Sequence, residues 1–255
     1  SVMDRVAYIA AGGAARVLEQ QSVLSNNMAN VNTSGFRAQL ANFRAVPFQA
    51  QQGELSTRVG TVASTPGSRL TQGTMTETGH ALDLAITGEG WFAVQTPDGQ
   101  EAYTRAGDFA VNAQGLLVGQ SGLPVLSNDG QPVQVPDRGS VTFSSDGFIT
   151  ALGAGDNPAD IQVIGQLKLV NLPAENLERG YDGLFRFNPG EGPAAAPADP
   201  NVRMISGFIE KSNVSAAETM VGMIKNGRMF EMQMKAIQDA DRNAERANSI
   251  LSANG

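Results

Sequence analysis

The sequence predicts an α+β fold, with long N- and C-terminal α-helices forming a coiled-coil-like layer and a central antiparallel all-β domain between them. Three observations in the 255 residues predict it. All 12 prolines fall between residues 47 and 200, so neither end carries the residue that most strongly interrupts a helix. Residues 1–44 and 210–255 hold three glycines each, against 23 in the middle. Charge divides the same way: of the formal −7, the first part carries +2, the last part zero and the middle −9.

At the N-terminus Met3, Val6, Ala10, Gly13, Val17, Gln20, Leu24, Asn27 and Val31 recur at alternating spacings of three and four, a coiled-coil seam. A helix from about Asp4 to Val31 is expected, roughly 40 Å long at ~1.5 Å per residue. Thr33-Ser34-Gly35 stops it, with Gly35 suited to a left-handed cap. Val6 to Ala15 is uncharged and follows Arg5, as in a signal peptide. The paired Gly12-Gly13, the lack of Leu and Phe, and a heptad continuing past Arg16 argue against cleavage. No stretch approaches the ~18 continuous apolar residues of a membrane span.

Residues 35–80 read as an extended connector, poor in apolar anchors from 45 to 75. A β-rich domain is expected over residues 81–208. Trp91-Phe92-Ala93-Val94-Gln95 and Ala102-Tyr103-Thr104-Arg105 flank the turn Pro97-Asp98-Gly99, a hairpin signal. Further short runs follow at Phe109–Val111, Leu116–Val118, Val125–Leu126, Val133–Val135, Val141–Phe143 and Phe148–Thr150, separated by turn residues. Ile161–Val170 reads as one strand, Leu184–Phe187 as another, and 188–200, with four prolines, as a surface loop. Such spacing implies a meandering antiparallel domain.

The second helix belongs to residues 209–255. Ala216, Met220, Met223, Gly227, Phe230, Met234, Ile237, Asp241, Ala244, Asn248 and Leu251 alternate four and three, and Ser215-Ala216-Ala217-Glu218 reads as a capping box. Five of the nine methionines lie between 220 and 234, and such flexible thioether surfaces adapt to non-identical partners. Gly12, Gly13, Gly222 and Gly227 each cost on the order of 1 kcal/mol of helix propensity against Ala. That cost is understandable where another backbone approaches closely.

Chemistry is scarce. There is no cysteine and one histidine, which excludes thiol catalysis, disulfides, zinc fingers and multi-histidine sites. An acidic chain with no basic tract is a poor nucleic-acid binder. Gly88-Glu89-Gly90 is half of a dinucleotide motif, but Trp91-Phe92 follows where helix and third glycine belong. Asp83, Glu89, Asp98 and Asp108 offer the carboxylates of a glycan hydrolase, yet three of them adjoin turn glycines. His80 has no nucleophile or ligand motif beside it, and Asp146-Gly147 lacks the ligands of a calcium loop. No catalytic residue, cofactor or metal is expected.

The run Leu24-Ser25-Asn26-Asn27-Met28-Ala29-Asn30-Val31-Asn32-Thr33-Ser34-Gly35-Phe36-Arg37 resembles the N-terminal signature of bacterial flagellar rod and hook proteins. The likeness continues through Leu82–Ile86, Gly88–Phe92 and Tyr103-Thr104-Arg105-Ala106-Gly107-Asp108-Phe109, then Ile209-Glu210-Lys211-Ser212-Asn213-Val214 and the helix carrying Arg228, Phe230 and Glu231. Ala106 departs from the asparagine common there. Within the family the likeness is strongest to members of the proximal rod, on Asp4-Arg5, Tyr8 and the run from Gly35 to Pro47. The resemblance implies a structural subunit of the periplasmic drive shaft, exported by the flagellar type III apparatus without signal cleavage. Its partners are then other rod proteins and copies of itself, with no nucleic acid and no membrane span. Residues 1–34 and 212–255 are expected to form an inner helical layer and 81–208 an outer domain. Assembly is expected to rest on Leu24, Asn26, Asn27, Met28, Ala29, Asn30, Val31, Thr33, Gly35 and Phe36, and on Met220, Met223, Ile224, Phe230, Met234 and Ile237. A distal rod subunit, or a secreted cell-wall-glycan hydrolase using Asp83 or Asp108, are the alternatives.

Overall fold

In the computed structural model, which describes residues 2–40, 43–47, 59–63, 67–136 and 139–253, both proline-free ends are helical. Helix α1 is Val2–Ala29 and helix α2 is Ala216–Ala253. At ~1.5 Å per residue they are about 42 and about 57 Å long. Between them the strands among the described residues are short and antiparallel, so the fold is α+β. The chain divides into two units, residues 1–31, 38–69 and 214–255 in one and residues 32–37 and 70–213 in the other.

In the first unit α1 and α2 lie side by side and antiparallel. Asn226 donates to the Val17 carbonyl and to Gln21, Gly13 faces the Gln233 side chain, and Gly222 packs on Leu24. The α1 line from Ala10 through Gly13, Val17, Leu24 and Asn27 follows the expected seam, while Met3 and Val6 are exposed. On α2 the buried line is displaced by one residue from expectation. Thr219, Asn226 and Ala240 are buried and Gln233 half-buried, whereas Met220 and Met234 are exposed. One residue is about 100° around a helix, so the methionines sit on a neighbouring face. At Asn226 the physical reason is that the side chain finds polar partners on α1, which a methionine could not bind. Ser215 caps α2 as expected, its hydroxyl accepting from Glu218 N at 3.3 Å.

Also in this unit, Gln39–Leu40 pairs with Gly67–Ser68 and Phe43–Pro47 with Val59–Ala63. The expected connector 35–80 therefore contains short strand pairs, and parts of it (41–42, 48–58 and 64–66) lie outside the described residues.

The second unit is built on a five-stranded antiparallel sheet in the spatial order Leu169–Val170, Trp91–Gln95, Glu101–Thr104, Phe185–Phe187, Leu177–Arg179. A three-stranded sheet joins Gly139–Phe143, Phe148–Gly153 and Gln162–Gln166. The Pro97-Asp98-Gly99 hairpin forms as expected, with Phe92 opposite Thr104. Ile161–Val170 is not one strand. It breaks at Leu167 and Lys168, whose amides turn to the carbonyls of Gly147 and Leu126, so its halves join different sheets. The 188–200 loop is mostly exposed, but Ala196 is buried and its amide donates to the Tyr103 hydroxyl at 2.7 Å. Two pairings had no local signature, Arg203–Ser206 with Leu84–Thr87 and Phe208–Glu210 with Met75–Glu77.

The core of this unit is apolar. Leu84, Ile86, Phe92, Leu117, Val125, Ile149, Leu167 and Met204 are almost wholly removed from water. Phe92 meets Phe109 edge-on at 5.1 Å, and a second cluster holds Trp91 against Phe185 at 4.7 Å.

Candidate functional site

The expected interface residues fall into three environments. Asn27 is buried in the helical unit and binds the backbone of Gln39 in both directions, Nδ2 donating to its carbonyl at 3.0 Å and Oδ1 accepting from its amide at 2.8 Å. The asparagine thus acts as a strand partner for the segment leaving the helix. Asn26 donates to the Gln39 side chain, and Asn30 folds back onto the Asn26 carbonyl at 2.8 Å, closing the helix end. Leu24, Met28 and Val31 are half-buried, and Ala29 is exposed.

Gly35 and Phe36 belong to the β-rich unit, where residues 33–37 are held on several sides. Gly35 adopts φ +65°, and its amide donates to the Glu210 carbonyl at 2.8 Å. A Cβ at Gly35 would lie 2.5 Å from the Ala106 nitrogen, so the position excludes side chains on space as well as conformation. The Phe36 carbonyl accepts from Asn213 N, and the Phe36 ring sits under the Arg179 guanidinium at 4.6 Å. Arg179 also donates to the Arg37 carbonyl, and burial pulls its pKa down to about 10. Thr33 is exposed, its carbonyl accepting from Phe36 N.

The α2 residues divide by face. Met223, Phe230 and Ile237 are half-buried and share the side of Asn226. Met220, Ile224 and Met234 are exposed, at 55, 59 and 38%, and Val221, Met229 and Met232 are exposed with them. Alpha-helix α1 likewise leaves Val2, Tyr8, Ile9 and Leu18 in solvent. Each helix therefore carries one stripe used within the chain and further apolar side chains that the described residues leave uncovered. Where such side chains adjoin one another on a surface, they mark an interaction site.

Sequence reasoning gave no role to the most buried charges. Glu210 lies beneath Arg37 and Arg105, and the three come from three different recognised blocks. Burial holds the pKa of Arg105 down, against the opposing pull of Glu210.

The four carboxylates considered for hydrolysis are placed as follows. Asp98 accepts from Thr96 within its own turn, and Glu89 accepts from Asn171 at 3.4 Å. The backbones of Asp83 and Asp108 pair across an isolated bridge, with Asp83 accepting from the Thr78 hydroxyl at 2.6 Å. Burial, reinforced by Asp83, raises the pKa of Asp108. His80 is exposed. Among the described residues no group of three or more His, Asp or Glu is placed to hold a metal, and no helix is long and apolar enough to cross a membrane.

Three protein-family models match. Residues 8–37 match "Flagella basal body rod protein", residues 85–151 "Flagellar hook protein FlgE/F/G D1 domain", and residues 205–250 "Flagellar basal body rod FlgEFG protein C-terminal". Flagellar basal-body rod protein FlgF of Salmonella typhimurium is 44% identical over 253 residues, spanning 98% of this chain and 99% of its own. FlgF of Escherichia coli is 45% identical over the same shares. Flagellar basal-body rod protein FlgG of Agrobacterium fabrum is 35% identical, over 98% of this chain and 99% of its own.

Proposed function

The chain belongs to the flagellar basal-body rod protein family, and from that premise we propose that it is a structural subunit of the proximal rod. The observation that carries this reading is likeness to FlgF relatives along the whole of both chains, helices included. In this reading the protein performs no catalysis. It assembles with copies of itself and with other rod proteins, and its work is to transmit torque through those contacts.

The physical route runs through the two helices. Their shared stripe makes the α1–α2 pair, and the remaining apolar side chains, Met220, Ile224 and Met234 with Ile9 and Leu18, seek neighbouring subunits. Contacts between unlike faces whose rotation does not close a ring build a helical shaft. The helices then form the coiled-coil-like inner layer of the shaft. Delivery is by the flagellar export apparatus, without a cleaved signal, to the basal body in the periplasm. Asn26 to Phe36 shape the exit from α1, while the α2 methionines meet partners. The distal rod is the second reading, supported by FlgG relatives at lower identity.

Immuno-electron microscopy of purified basal bodies tests the proposal. The chain is expected between the membrane-proximal base and the distal rod. Labelling in the distal rod would favour the second reading, and absence from basal bodies would sink both.

A further inference from the structure

Three charged side chains from distant parts of the chain meet inside the β-rich unit. Glu210 is fully buried, and Arg37 and Arg105 are 2 and 3% exposed. Arg37 Nη1 donates to Glu210 Oε1 at 2.5 Å, and Gly73 N donates to the same oxygen at 2.8 Å. Arg105 Nε donates to Oε2 at 2.8 Å. The remaining Arg105 donors reach the carbonyls of Ile86, Gly88 and Gly90. The contacts to Glu210 span 173, 137 and 105 residues of sequence.

These contacts have an order built into their chemistry. Guanidinium groups stay protonated, so neither arginine escapes burial by losing its proton. Without Glu210 the interior would hold two cations and no counter-charge, which opposes expulsion of water from around them. Arg105 also needs the 86–90 turn in place before its donors are satisfied. Glu210 arrives on the segment that delivers Val202 and Met204 to the apolar core beside Leu84 and Ile86. Closing loops of more than a hundred residues is entropically slower than forming the local 91–104 hairpin.

We propose that docking of residues 203–213 is the closing step in folding of the β-rich unit, and that Glu210 is its latch. Until that carboxylate arrives, Arg37 and Arg105 keep the interior hydrated and the unit open. A chain made N-terminus first then completes this unit only once residue 210 has emerged. The inference stands on this unit's geometry and holds whether or not the chain is a rod subunit.

Stopped-flow folding and unfolding of the full chain tests it, comparing the wild type with Glu210→Gln. The folding equilibrium constant is expected to fall at least about 100-fold. The loss should lie almost wholly in faster unfolding, with the folding rate within about threefold of wild type. Folding that slows in proportion to the lost stability would put the contact in the folding nucleus and overturn the proposal, as would an unchanged equilibrium. Glu77→Gln, at the exposed end of the neighbouring strand Met75–Glu77, should change little, and an equal effect there would reduce the result to loss of acidic charge. If Glu210→Gln does not fold, Glu210→Asp keeps the charge on a shorter arm and is read by the same two criteria.

Discussion

Gly35 is constrained twice, by its left-handed φ and by the Arg105–Ala106 backbone pressed against it. Neither can yield, because the obstructing atoms are main chain. Gly35→Ala is expected to lose about 2–5 kcal/mol, combining a left-handed penalty with overpacking. Chemical denaturation of the purified chain measures it, and a loss under about 1 kcal/mol would mean the backbone relaxes. Asp108 makes the opposite case, a residue that costs stability. Its carboxyl titrates above its ordinary 3.8, chiefly because it is buried and also because Asp83 is near. The folded state therefore holds that proton more tightly than the unfolded state, and stability falls as pH rises from 3.8 through the raised value. At neutral pH the ionised group is a standing cost. Asp108→Asn should raise the melting temperature at neutral pH, and its advantage should vanish below about pH 3.8. Melting curves across that range decide it, and a variant less stable at neutral pH would mean that the carboxylate's hydrogen bonds outweigh its burial.

At the scale of elements, what was legible in the sequence depended on how local the signal was. Both helices were legible because periodicity repeats over many turns, and the 91–104 hairpin because its turn residues are adjacent. The α2 packing line was missed by one residue because an apolar count selects Met220 and Met234, whereas the pair buries Thr219 and Asn226. The Arg203–Ser206 and Phe208–Glu210 strands were illegible, since each holds only two apolar residues and pairs with a strand more than a hundred residues away. Of the candidate site, Gly35 and Phe36 stood out as motif, but nothing local revealed that Arg37, Arg105 and Glu210 meet. The Asn226 assignment is open to test. Asn226→Ala removes its bonds to the Val17 carbonyl and Gln21. It should cost about 1–3 kcal/mol of helix-pair stability, seen in urea titration followed by helical circular dichroism. Were the variant as stable as wild type, the asparagine would add nothing to the pairing.

For the whole molecule, the four helix glycines separate packing within the chain from packing between chains. Gly222 lies against Leu24, and a Cβ at Gly13 would lie 2.8 Å from the Gln233 side chain, so both are explained by the α1–α2 contact. Among the described residues Gly12 and Gly227 have nothing within 4 Å of an added Cβ, and neither has a left-handed backbone. In an isolated subunit they are pure cost, and replacing each with Ala should stabilise its helix by about 1 kcal/mol. If in a rod the same positions let a neighbouring backbone come close, a methyl group there would hold it away. The double variant Gly12→Ala/Gly227→Ala should therefore melt higher as a monomer yet restore swimming poorly in cells lacking the native subunit. Stability and assembly moving in opposite directions is the signature of an intersubunit contact, because a fault in folding would lower both. Normal swimming by the stabilised variant would show that these two faces meet no close neighbour and would leave the uncovered methionines of α2 to carry the interface alone.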